Sequence, residues 1–343
     1  MRRLKCAVLG ATGMVGQRFV RMLEGHEFFE LSALAASGKN AGREYGQACN
    51  WLISDSVPEY AKGMELENVE SVSSIASKAE VIFSALPSDV ASKVEFEYAK
   101  QCFVFSKASA FRMEEDVPLL VPEINAAHAS PEIFESQRKK RGLESGFLTT
   151  DPNCSTVQLA LALAPLQQFG IASVIASTYQ ALSGAGYPGV ASLDAMANVI
   201  PFIEGEEEKM AEESKKIFSN PEWGVTASCV RVPVREGHLE SVFVETDATV
   251  EQAIQAWESF KGEPQEMRLP TAPEKPVIVT QSANRPQPLL DVDNGNGMSI
   301  TIGRARRWDK GLAFFVLGHN TVRGAAGNAL LNAELFMKKG MLA

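Results

Sequence analysis

The first 125 residues alternate between short apolar runs and longer mixed stretches. The apolar runs predict β-strands at Leu4–Leu9, Phe29–Ala36, Ala79–Leu86 and Cys102–Ser106. The mixed stretches predict helices at Met14–Leu23 and Val90–Lys100. Alternation of strand and helix predicts a parallel sheet whose two faces are covered by helices.

A different pattern begins after a strand at Gly146–Thr150 and a helix that runs from Cys154 toward Pro165. Runs rich in β-branched residues, some of them alternating, predict strands at Ile171–Ser183, Val225–Val234, His238–Asp247 and Pro276–Gln281. Helices are predicted at Gly189–Ile200, Glu206–Phe218, Val250–Lys261 and Arg323–Lys339, and a connecting loop at Glu263–Lys275. This pattern predicts a mixed or antiparallel sheet in a second domain.

The length of the chain, 343 residues, supports two domains. We expect an α/β protein with a first domain over residues 1–150, to which a C-terminal helix in residues 320–343 returns. The second domain is predicted over residues 151–319.

Composition and charge exclude several classes of protein. No apolar stretch approaches the ~20 residues that span a bilayer, so we expect no membrane association. The net charge of −9 argues against a nucleic-acid partner. The basic run Arg138–Arg141 could be a localisation signal or a polyanion patch, but we interpret it as a solvated loop.

The five cysteines indicate a reducing compartment. They are odd in number and widely spaced, and none forms a Cys-x-x-Cys pair. We therefore expect no disulfide framework and no metal site, and we expect a cytoplasmic protein. The short apolar run at the N-terminus leads into a glycine motif, so it reads as a strand and not as a signal peptide.

A glycine-rich turn between the first strand and the first helix predicts a dinucleotide site. It consists of Gly10, Ala11, Thr12, Gly13, Met14, Val15 and Gly16. The glycines suit a tight turn, close approach of a pyrophosphate and close packing of helix on strand, so the first domain is predicted to be of Rossmann type.

The end of the second strand indicates which dinucleotide binds. An NAD site has a carboxylate there, whereas this chain has Ser37, Lys39 and Arg43. A hydroxyl and two cations suit a 2′-phosphate, which predicts NADP(H). The alternative is that Lys39 and Arg43 are ordinary surface charges.

Cys154 lies where the strand at Gly146–Thr150 passes into a helix, with Asn153 as the predicted N-cap. The positive end of a helix lowers the pKa of a thiol, which would make Cys154 a nucleophile. The alternative is a small buried apolar residue.

These residues and several others together resemble the aspartate-semialdehyde dehydrogenase family, particularly its archaeal and fungal-type branch. The segments that carry the resemblance, in order, are Gly10–Gly16, Ala35–Tyr45, Phe83–Ser88, Ser106–Arg112, Val117–Asn125, Pro152–Thr156, Gln180–Gly189, Gly205–Lys209, Arg231–His238 and His319–Gly327. The resemblance implies a Rossmann-type NADP-binding domain plus an α+β catalytic and dimerisation domain, as in the glyceraldehyde-3-phosphate dehydrogenase architecture.

The resemblance also implies roles for particular side chains. Cys154 would be the acyl-accepting nucleophile, His238 the general acid/base, and Gln180 the residue that orients the thioester. Substrate contacts would come from Arg231 (α-carboxylate), Glu206 (ammonium), Lys209 (an anionic oxygen) and Arg112 (phosphate). Further cofactor contacts would come from Ser84, Ala85, Leu86, Pro87, Ser183, Gly184 and Asn320.

The implied reaction is the NADPH-dependent reduction of L-4-aspartyl phosphate to aspartate 4-semialdehyde and phosphate. It would serve lysine, threonine and methionine biosynthesis, in a homodimer or homotetramer. Two departures from the usual family pattern are Lys107 and Asp151, where the family has asparagine.

Three other functions stay open at this point. A malonyl-CoA reductase or an N-acetyl-glutamyl-phosphate reductase would share the thiol and the nucleotide site, but the pair Glu206 and Arg231 favours a free α-amino acid. A non-catalytic NADP-binding sensor is the third alternative. Short-chain dehydrogenase-like folds normally carry Tyr-x-x-x-Lys, which is absent here.

Overall fold

The computed structural model describes residues 2–53, 56–220, 222 and 224–342. The strands in these residues are β1 (Leu4–Leu9), β2 (Phe29–Ala36), β3 (Leu66–Asn68), β4 (Val81–Ser84), β5 (Phe103–Ser106), β6 (Phe147–Thr150), β7 (Ser173–Gln180), β8 (Gly224–Arg231), β9 (His238–Glu245), β10 (Val277–Thr280), β11 (Ile300–Trp308) and β12 (Gly311–Gly318).

The α-helices in the same residues range from single turns to four turns. They are α1 (Met14–Met22), α2 (Tyr45–Ala48), α3 (Glu59–Lys62), α4 (Val72–Ala76), α5 (Ser88–Ala99), α6 (Pro122–Asn125), α7 (Pro131–Arg141), α8 (Cys154–Leu163), α9 (Ser192–Ala195), α10 (Glu206–Phe218), α11 (Val250–Ser259), α12 (Glu263–Glu266), α13 (Pro288–Asp291) and α14 (Gly327–Lys338). None of them is both long and apolar enough to cross a membrane.

The chain forms two compact units. The first gathers the described residues of 1–120, 127–151 and 326–343, and the second gathers those of 121–126 and 152–325. Residues 121–126 thus cluster with the second unit, and the return to the first begins at residue 326. The functional domain boundaries predicted from the sequence stay a prediction.

The first unit is built on a parallel sheet with strand order β3-β2-β1-β4-β5-β6. Its chain order reverses between β1 and β4, and in such sheets ligands bind at the carboxyl ends of the strands that flank this switch point. β4 and most of β1 are buried, which explains why both are continuous apolar runs.

The C-terminal helix α14 belongs to this first unit. Its Glu334 lies 2.9 Å from Nε2 of His26, and both side chains are buried. Its Phe336 packs against the rings of Phe105, Phe134 and Phe147. The end of the chain therefore completes the core of the first sheet.

The second unit is built on a mixed sheet with strand order β10-β11-β12-β9-β7-β8. β7 runs parallel to β8 and antiparallel to β9, and β12 runs antiparallel to both β9 and β11. Helices α8 and α11 are joined by a hydrogen bond from Nε1 of Trp257 to the carbonyl of Ala162 (2.8 Å).

The interpretation of Arg138–Arg141 as a solvated loop was wrong, because these residues form the last turn of α7. Ser130 caps the helix, and Gly142 ends it in the left-handed conformation (φ 67°). Arg141 donates to both carboxylate oxygens of Asp116 (2.7 and 2.8 Å), so its charge is paired within the unit.

Other predicted elements differ from the structure. The helix predicted at Gly189–Ile200 is only the single turn α9, because Leu193 and Met196 are exposed and do not stabilise a longer helix by packing within the unit. The loop predicted at Glu263–Lys275 begins with the single turn α12. Strands β11 and β12 were not predicted.

Candidate active site

The strands β7, β8 and β9 of the second unit each have one end at the same end of its sheet. β7 and β8 are parallel and end together, so that Gln180 is the register partner of Arg231. β9 is antiparallel to β7 and begins at the same end with His238. Sheet topology therefore brings together three side chains that the sequence separates by up to 58 positions.

Cys154 is the first residue of α8, as the sequence predicted. Oδ1 of Asn153 accepts hydrogen bonds from the backbone N–H groups of Ser155 (2.9 Å) and Thr156 (3.4 Å), which fixes the helix N-terminus. The thiol is partly exposed, and its Sγ lies 3.2 Å from Nε2 of His238. The structure therefore brings the predicted nucleophile and the predicted acid/base into contact.

His238 is completely buried and held at both ring nitrogens. Its Nδ1 accepts a hydrogen bond from the backbone N–H of Ala181 (3.0 Å). Burial lowers the pKa of His238 well below its ordinary value, and the charges of Arg231 and His319 lower it further.

Arg231 is buried beside this pair. One arm of its guanidinium donates to the carbonyl of Ala181 (2.7 Å), and burial lowers its pKa. Gly184 passes close to both groups: a Cβ there would lie 2.9 Å from Nη1 of Arg231 and 3.2 Å from Nε2 of His238. A side chain at position 184 would therefore push against both groups.

Glu206, at the start of α10, joins several predicted site residues. Its carboxylate accepts hydrogen bonds from Nδ2 of Asn153 (2.9 and 2.8 Å), Nε2 of Gln180 (3.1 Å) and Nζ of Lys209 (3.2 Å). This geometry shows Glu206 holding the cap of the nucleophile's helix. Contact with a substrate ammonium stays a prediction.

Sequence reasoning missed Glu213, two turns further along α10. This buried carboxylate accepts a hydrogen bond from the backbone N–H of Asn153 at 2.6 Å. Glu206 and Glu213 thus both accept hydrogen bonds from Asn153, and they lie on one face of α10. Their spacing of seven residues places both acids on the face of α10 that also carries the buried Met210 and Ile217, and this was the signal available in the sequence.

A second missed pair lies behind His238. Nε2 of Gln158 donates to the carbonyl of His238 (3.1 Å) and to the carboxyl group of Glu240 (2.6 Å). Burial raises the pKa of Glu240 to about 8, so this acid is largely protonated at neutral pH. An acid at an inward position of an alternating strand was the available signal.

Among the predicted cofactor contacts of the second unit, Asn320 and Ser183 touch. Nδ2 of Asn320 donates to Oγ of Ser183 (2.8 Å), and its Oδ1 accepts from the backbone N–H of Gly237 (2.9 Å). Asn320 therefore ties the segment before His238 to the segment after β7.

In the first unit, the glycine turn lies at the switch point of the parallel sheet. Gly10 has φ +74°, and a Cβ on it would lie 2.5 Å from the carbonyl oxygen of Ala85. A Cβ on Gly16 would lie 2.2 Å from the carbonyl oxygen of Gly10. The turn also contains Ala11, Thr12, Gly13, Met14 and Val15, and beside it run Ser84, Leu86 and Pro87.

The residues predicted to contact the 2′-phosphate of the cofactor ribose lie in one exposed loop after β2. Ser37, Lys39 and Arg43 are all exposed. Arg43 donates to Oδ1 of Asn40 (3.3 Å) and to the carbonyl of Gln47 (3.1 Å), which holds its guanidinium at this loop.

Arg112 is a buried residue of the first unit, and its Nη2 donates to the carbonyl of Lys107 (2.7 Å). Nζ of Lys107 in turn lies 3.5 Å from the carboxylate of Asp151, and both of these side chains are buried. The two departures from the family pattern are therefore partners in one ion pair.

Comparisons with known proteins agree over nearly the whole chain. Residues 5–131 match the model of the semialdehyde dehydrogenase NAD binding domain, and residues 163–323 match that of the semialdehyde dehydrogenase dimerisation domain. The aspartate-semialdehyde dehydrogenase of Archaeoglobus fulgidus is 49% identical over 99% of this chain and 100% of its own.

The chain belongs to the aspartate-semialdehyde dehydrogenase family. A solved structure of aspartate semialdehyde dehydrogenase with NADP from Candida albicans superimposes with a TM-score of 0.89 at 33% identity, covering 99% of this chain and 100% of that one. A malonyl-CoA reductase (NADP) of Metallosphaera sedula is 39% identical over 99% of this chain and 98% of its own.

As a member of the aspartate-semialdehyde dehydrogenase family, the chain is an oxidoreductase with a dinucleotide-binding domain and a dimerisation domain. The family, the enzyme class and the two-domain α/β fold predicted from the residues are confirmed. The roles of individual site residues stay predictions.

Proposed function

We propose that this chain reduces an aspartyl acyl phosphate to aspartate semialdehyde through a thioester on Cys154, in amino-acid biosynthesis. The observation that carries the proposal is the contact of 3.2 Å between Sγ of Cys154 and Nε2 of His238 at the N-terminus of α8. A thiol beside an imidazole at a helix N-terminus is the arrangement of an activated nucleophile.

The other cysteines are poor nucleophiles. Burial raises the pKa of the thiols of Cys6 and Cys49, that of Cys102 to about 11 and that of Cys229 to about 12. Thiols with raised pKa values carry little thiolate at neutral pH. Cys154 is therefore the candidate that fits acyl transfer.

The glycine turn of the first unit fits a nicotinamide dinucleotide. Its backbone at Gly10 approaches that of Ala85, and its backbone at Gly16 approaches that of Gly10, so closely that side chains are excluded at both positions. No side chain caps the N-terminus of α1, and N–H groups at such a helix start bind a pyrophosphate. Lys39 and Arg43 lie in the exposed loop where a 2′-phosphate would be read, and this supports NADP(H). The bound cofactor supplies the hydride in reduction and accepts it in the reverse direction.

The chain's own residues divide the remaining work. Cys154 attacks the acyl carbon, the carbon–oxygen bond to phosphate breaks, and phosphate leaves with the electron pair. His238 favours the thiolate form of Cys154, since its Nε2 lies 3.2 Å from the sulfur. Gln180 and Glu206 hold the position of Asn153 and so of the nucleophile.

Arg231 is the proposed partner of the substrate α-carboxylate. Its guanidinium is buried, one of its nitrogens is anchored to Ala181, and the same nitrogen borders the site at Gly184. A guanidinium binds a carboxylate in a two-pronged fashion that lysine cannot reproduce. Lys209 and Arg112 are the proposed contacts for anionic oxygens of the substrate.

The second candidate is a malonyl-CoA reductase, because a relative of that name covers nearly the whole chain at 39% identity. The two candidates are separated by running the reaction in the oxidative direction. The enzyme receives NADP with either aspartate semialdehyde and phosphate, or malonate semialdehyde and coenzyme A. We expect NADPH formation that depends on phosphate. NADPH formation only with coenzyme A would establish the second candidate.

Arg231→Lys provides a matched test of the amino-acid substrate. The charge survives and the fork is lost, so the KM for aspartate semialdehyde should rise by about 10-fold or more, since a hydrogen bond to a charged group is worth roughly 1.5–3 kcal/mol. Arg138→Lys serves as the control, because Arg138 contacts only carbonyl groups of the first unit in the structure as described. An unchanged KM in Arg231→Lys would show that Arg231 does not bind the α-carboxylate of the substrate.

The enzyme is further proposed to act as a homodimer or homotetramer in the cytoplasm. β7 exposes Ile175 and Tyr179 on one face, and the segment after it exposes Leu193, Met196 and Phe202. Apolar side chains on the described surface of a dimerisation domain suit a subunit interface. Sedimentation should give a dimer or larger, and a monomer at micromolar concentration would contradict this. All five cysteines are free thiols, which suits a reducing compartment.

A further inference from the structure

The ring of His238 lies between a backbone donor and the nucleophile. Its Nδ1 is 3.0 Å from the backbone nitrogen of Ala181, and its Nε2 is 3.2 Å from Sγ of Cys154. The resemblance to the family implies only that this histidine acts as an acid/base. The two contacts specify which nitrogen of the ring carries the proton. This inference deepens the proposed function, on which it rests.

A backbone N–H can only donate a hydrogen bond. Nδ1 of His238 must therefore present its lone pair to Ala181, and the proton of the neutral ring must be on Nε2. Protonation of Nδ1 would place two N–H groups head to head across 3.0 Å in a fully buried site. The contact with Ala181 thus selects one tautomer and disfavours the imidazolium.

The charges around the ring act in the same direction. Burial is the largest cause of the lowered pKa of His238. Arg231, which faces the ring from β8, and His319, which faces it from the end of β12, lower this pKa further. Cys154 faces it from α8 and is the group that would favour a positive ring. Glu240, two residues along β9, is held by Gln158 and has a pKa raised to about 8, so it is largely uncharged at neutral pH.

We propose that His238 is a fixed hydrogen-bond donor to the sulfur of Cys154, with its proton held on Nε2 by the amide of Ala181, and not the imidazolium of a thiolate–imidazolium pair. The thiolate is then stabilised by the Nε2–H group and by the N-terminus of α8. Ala181 is a positioning residue in this account, because it acts only through the ring.

The proton balance of acyl transfer is consistent with this role. The sulfur attacks as thiolate, the S–C bond forms, and phosphate leaves with the electrons of its bond to carbon. The carbon of the thioester then receives a hydride from the bound cofactor. When the resulting tetrahedral alkoxide collapses to the aldehyde, the S–C bond breaks and the sulfur leaves as thiolate again. None of these steps moves a proton to or from Nε2, so a donor that keeps its proton is sufficient.

The first test is the pH dependence of alkylation of Cys154 by iodoacetamide, followed by peptide mass spectrometry. It is performed on the wild type, His238→Gln and His238→Leu. A glutamine amide spaces its oxygen and nitrogen much like Nδ1 and Nε2, so it can accept from Ala181 and donate to the sulfur but never titrates. A leucine at this position can do neither.

If His238 is a fixed donor, the rate of Cys154 alkylation in the wild type should follow a single ionisation as the pH changes. The pH midpoint of the His238→Gln profile should lie close to the wild-type midpoint. The midpoint of His238→Leu should lie about 1–2 pH units higher, the value of one hydrogen bond to a charged group. Two ionisations in the wild type, or equal upward shifts in the glutamine and leucine variants, would overturn the proposal.

The second measurement uses the wild-type protein alone and so does not depend on the folding of a variant. The ¹⁵N shifts of the labelled imidazole distinguish the two neutral tautomers from the imidazolium. We expect an unprotonated Nδ1 and a protonated Nε2 for His238 at neutral pH, and an imidazolium there would overturn the proposal. Neither measurement uses a substrate, so failure of the proposed dehydrogenase activity would be recognised separately.

Discussion

Gly324 is the position at which a single methyl group should disable the nucleophile. A Cβ built on Gly324 would lie 2.7 Å from Cβ of Cys154 and 2.9 Å from its Cα. Carbon atoms in contact need about 3.5–4.0 Å, so the overlap in Gly324→Ala is about 1 Å. The atoms it meets include backbone, which cannot rotate away, so the start of α8 must move.

The expected magnitude follows from that displacement. Excess volume in a packed site costs about 1–3 kcal/mol of folding free energy. A shift of ~1 Å in a reacting group can cost 10²-fold in rate. Gly324→Ala should therefore remain folded and lose about 10²-fold in kcat, because Sγ of Cys154 moves relative to Nε2 of His238.

The assay compares kcat, the rate of Cys154 alkylation and the urea midpoint for the wild type and the variant. Gly63→Ala is the matched control, since Gly63 has φ −90° and nothing within 4 Å of the added Cβ. The control should keep its kcat and its alkylation rate. A Gly324→Ala enzyme that reacts at the wild-type rate would refute the reasoning from close approach.

Three further predictions concern pH, buried charge and cofactor choice. Glu240 titrates at about 8 in the folded protein against 4.5 ordinarily, so the unfolded chain loses its proton first and stability falls as the pH rises between these values. Glu240→Gln should therefore gain stability over the wild type in urea unfolding at the upper end of that range, and an equal difference at both ends would contradict this. Lys107→Met and Asp151→Asn should each lower the unfolding free energy, by up to about 3–5 kcal/mol for a broken buried pair. The double variant Lys107→Met/Asp151→Asn should lose less than the sum of the two single losses, as measured in a double-mutant cycle, and additive losses would exclude coupling. Arg43→Ala should raise the KM for NADPH by about 10-fold and leave use of NADH nearly unchanged, and equal effects would show that Arg43 does not read the 2′-phosphate.

Local signals predicted the parts of the molecule that local physics determines. The glycine turn at Gly10 and the helix start at Cys154 each depend on a few adjacent residues, and both lie where the sequence placed them. The helix at Glu206–Phe218 was predicted with its observed bounds, because its charged first and last turns match the helix dipole.

Other features depend on contacts between distant segments and were missed for that reason. The last turn of α7 is stabilised by Asp116, which lies 25 positions from Arg141 in the chain. The amide of Ala181 reaches His238 only because β7 and β9 are neighbours. Glu213 reaches Asn153 across 60 positions. Sequence patterns identify the residue types for such contacts but not the partners.

The strand β11 shows a further limit, whereas β12 is a continuous apolar run whose local pattern is that of a strand. The second half of β11 carries Arg304, Arg306 and Arg307. All three are charged and exposed, so this part of the strand lacks the pattern of an apolar strand. The strand forms because β10 and β12 pair with it on either side. Tertiary pairing here outweighs local propensity.

The most direct test of the central claim is to trap the acyl-enzyme. The protein is mixed with aspartate semialdehyde and NADP without phosphate, quenched in acid, digested and analysed by mass spectrometry. We predict an aspartyl group on the peptide that contains Cys154, and its loss when phosphate is added before the quench. NADPH formation without an adduct, or an adduct on any other cysteine, would contradict the account.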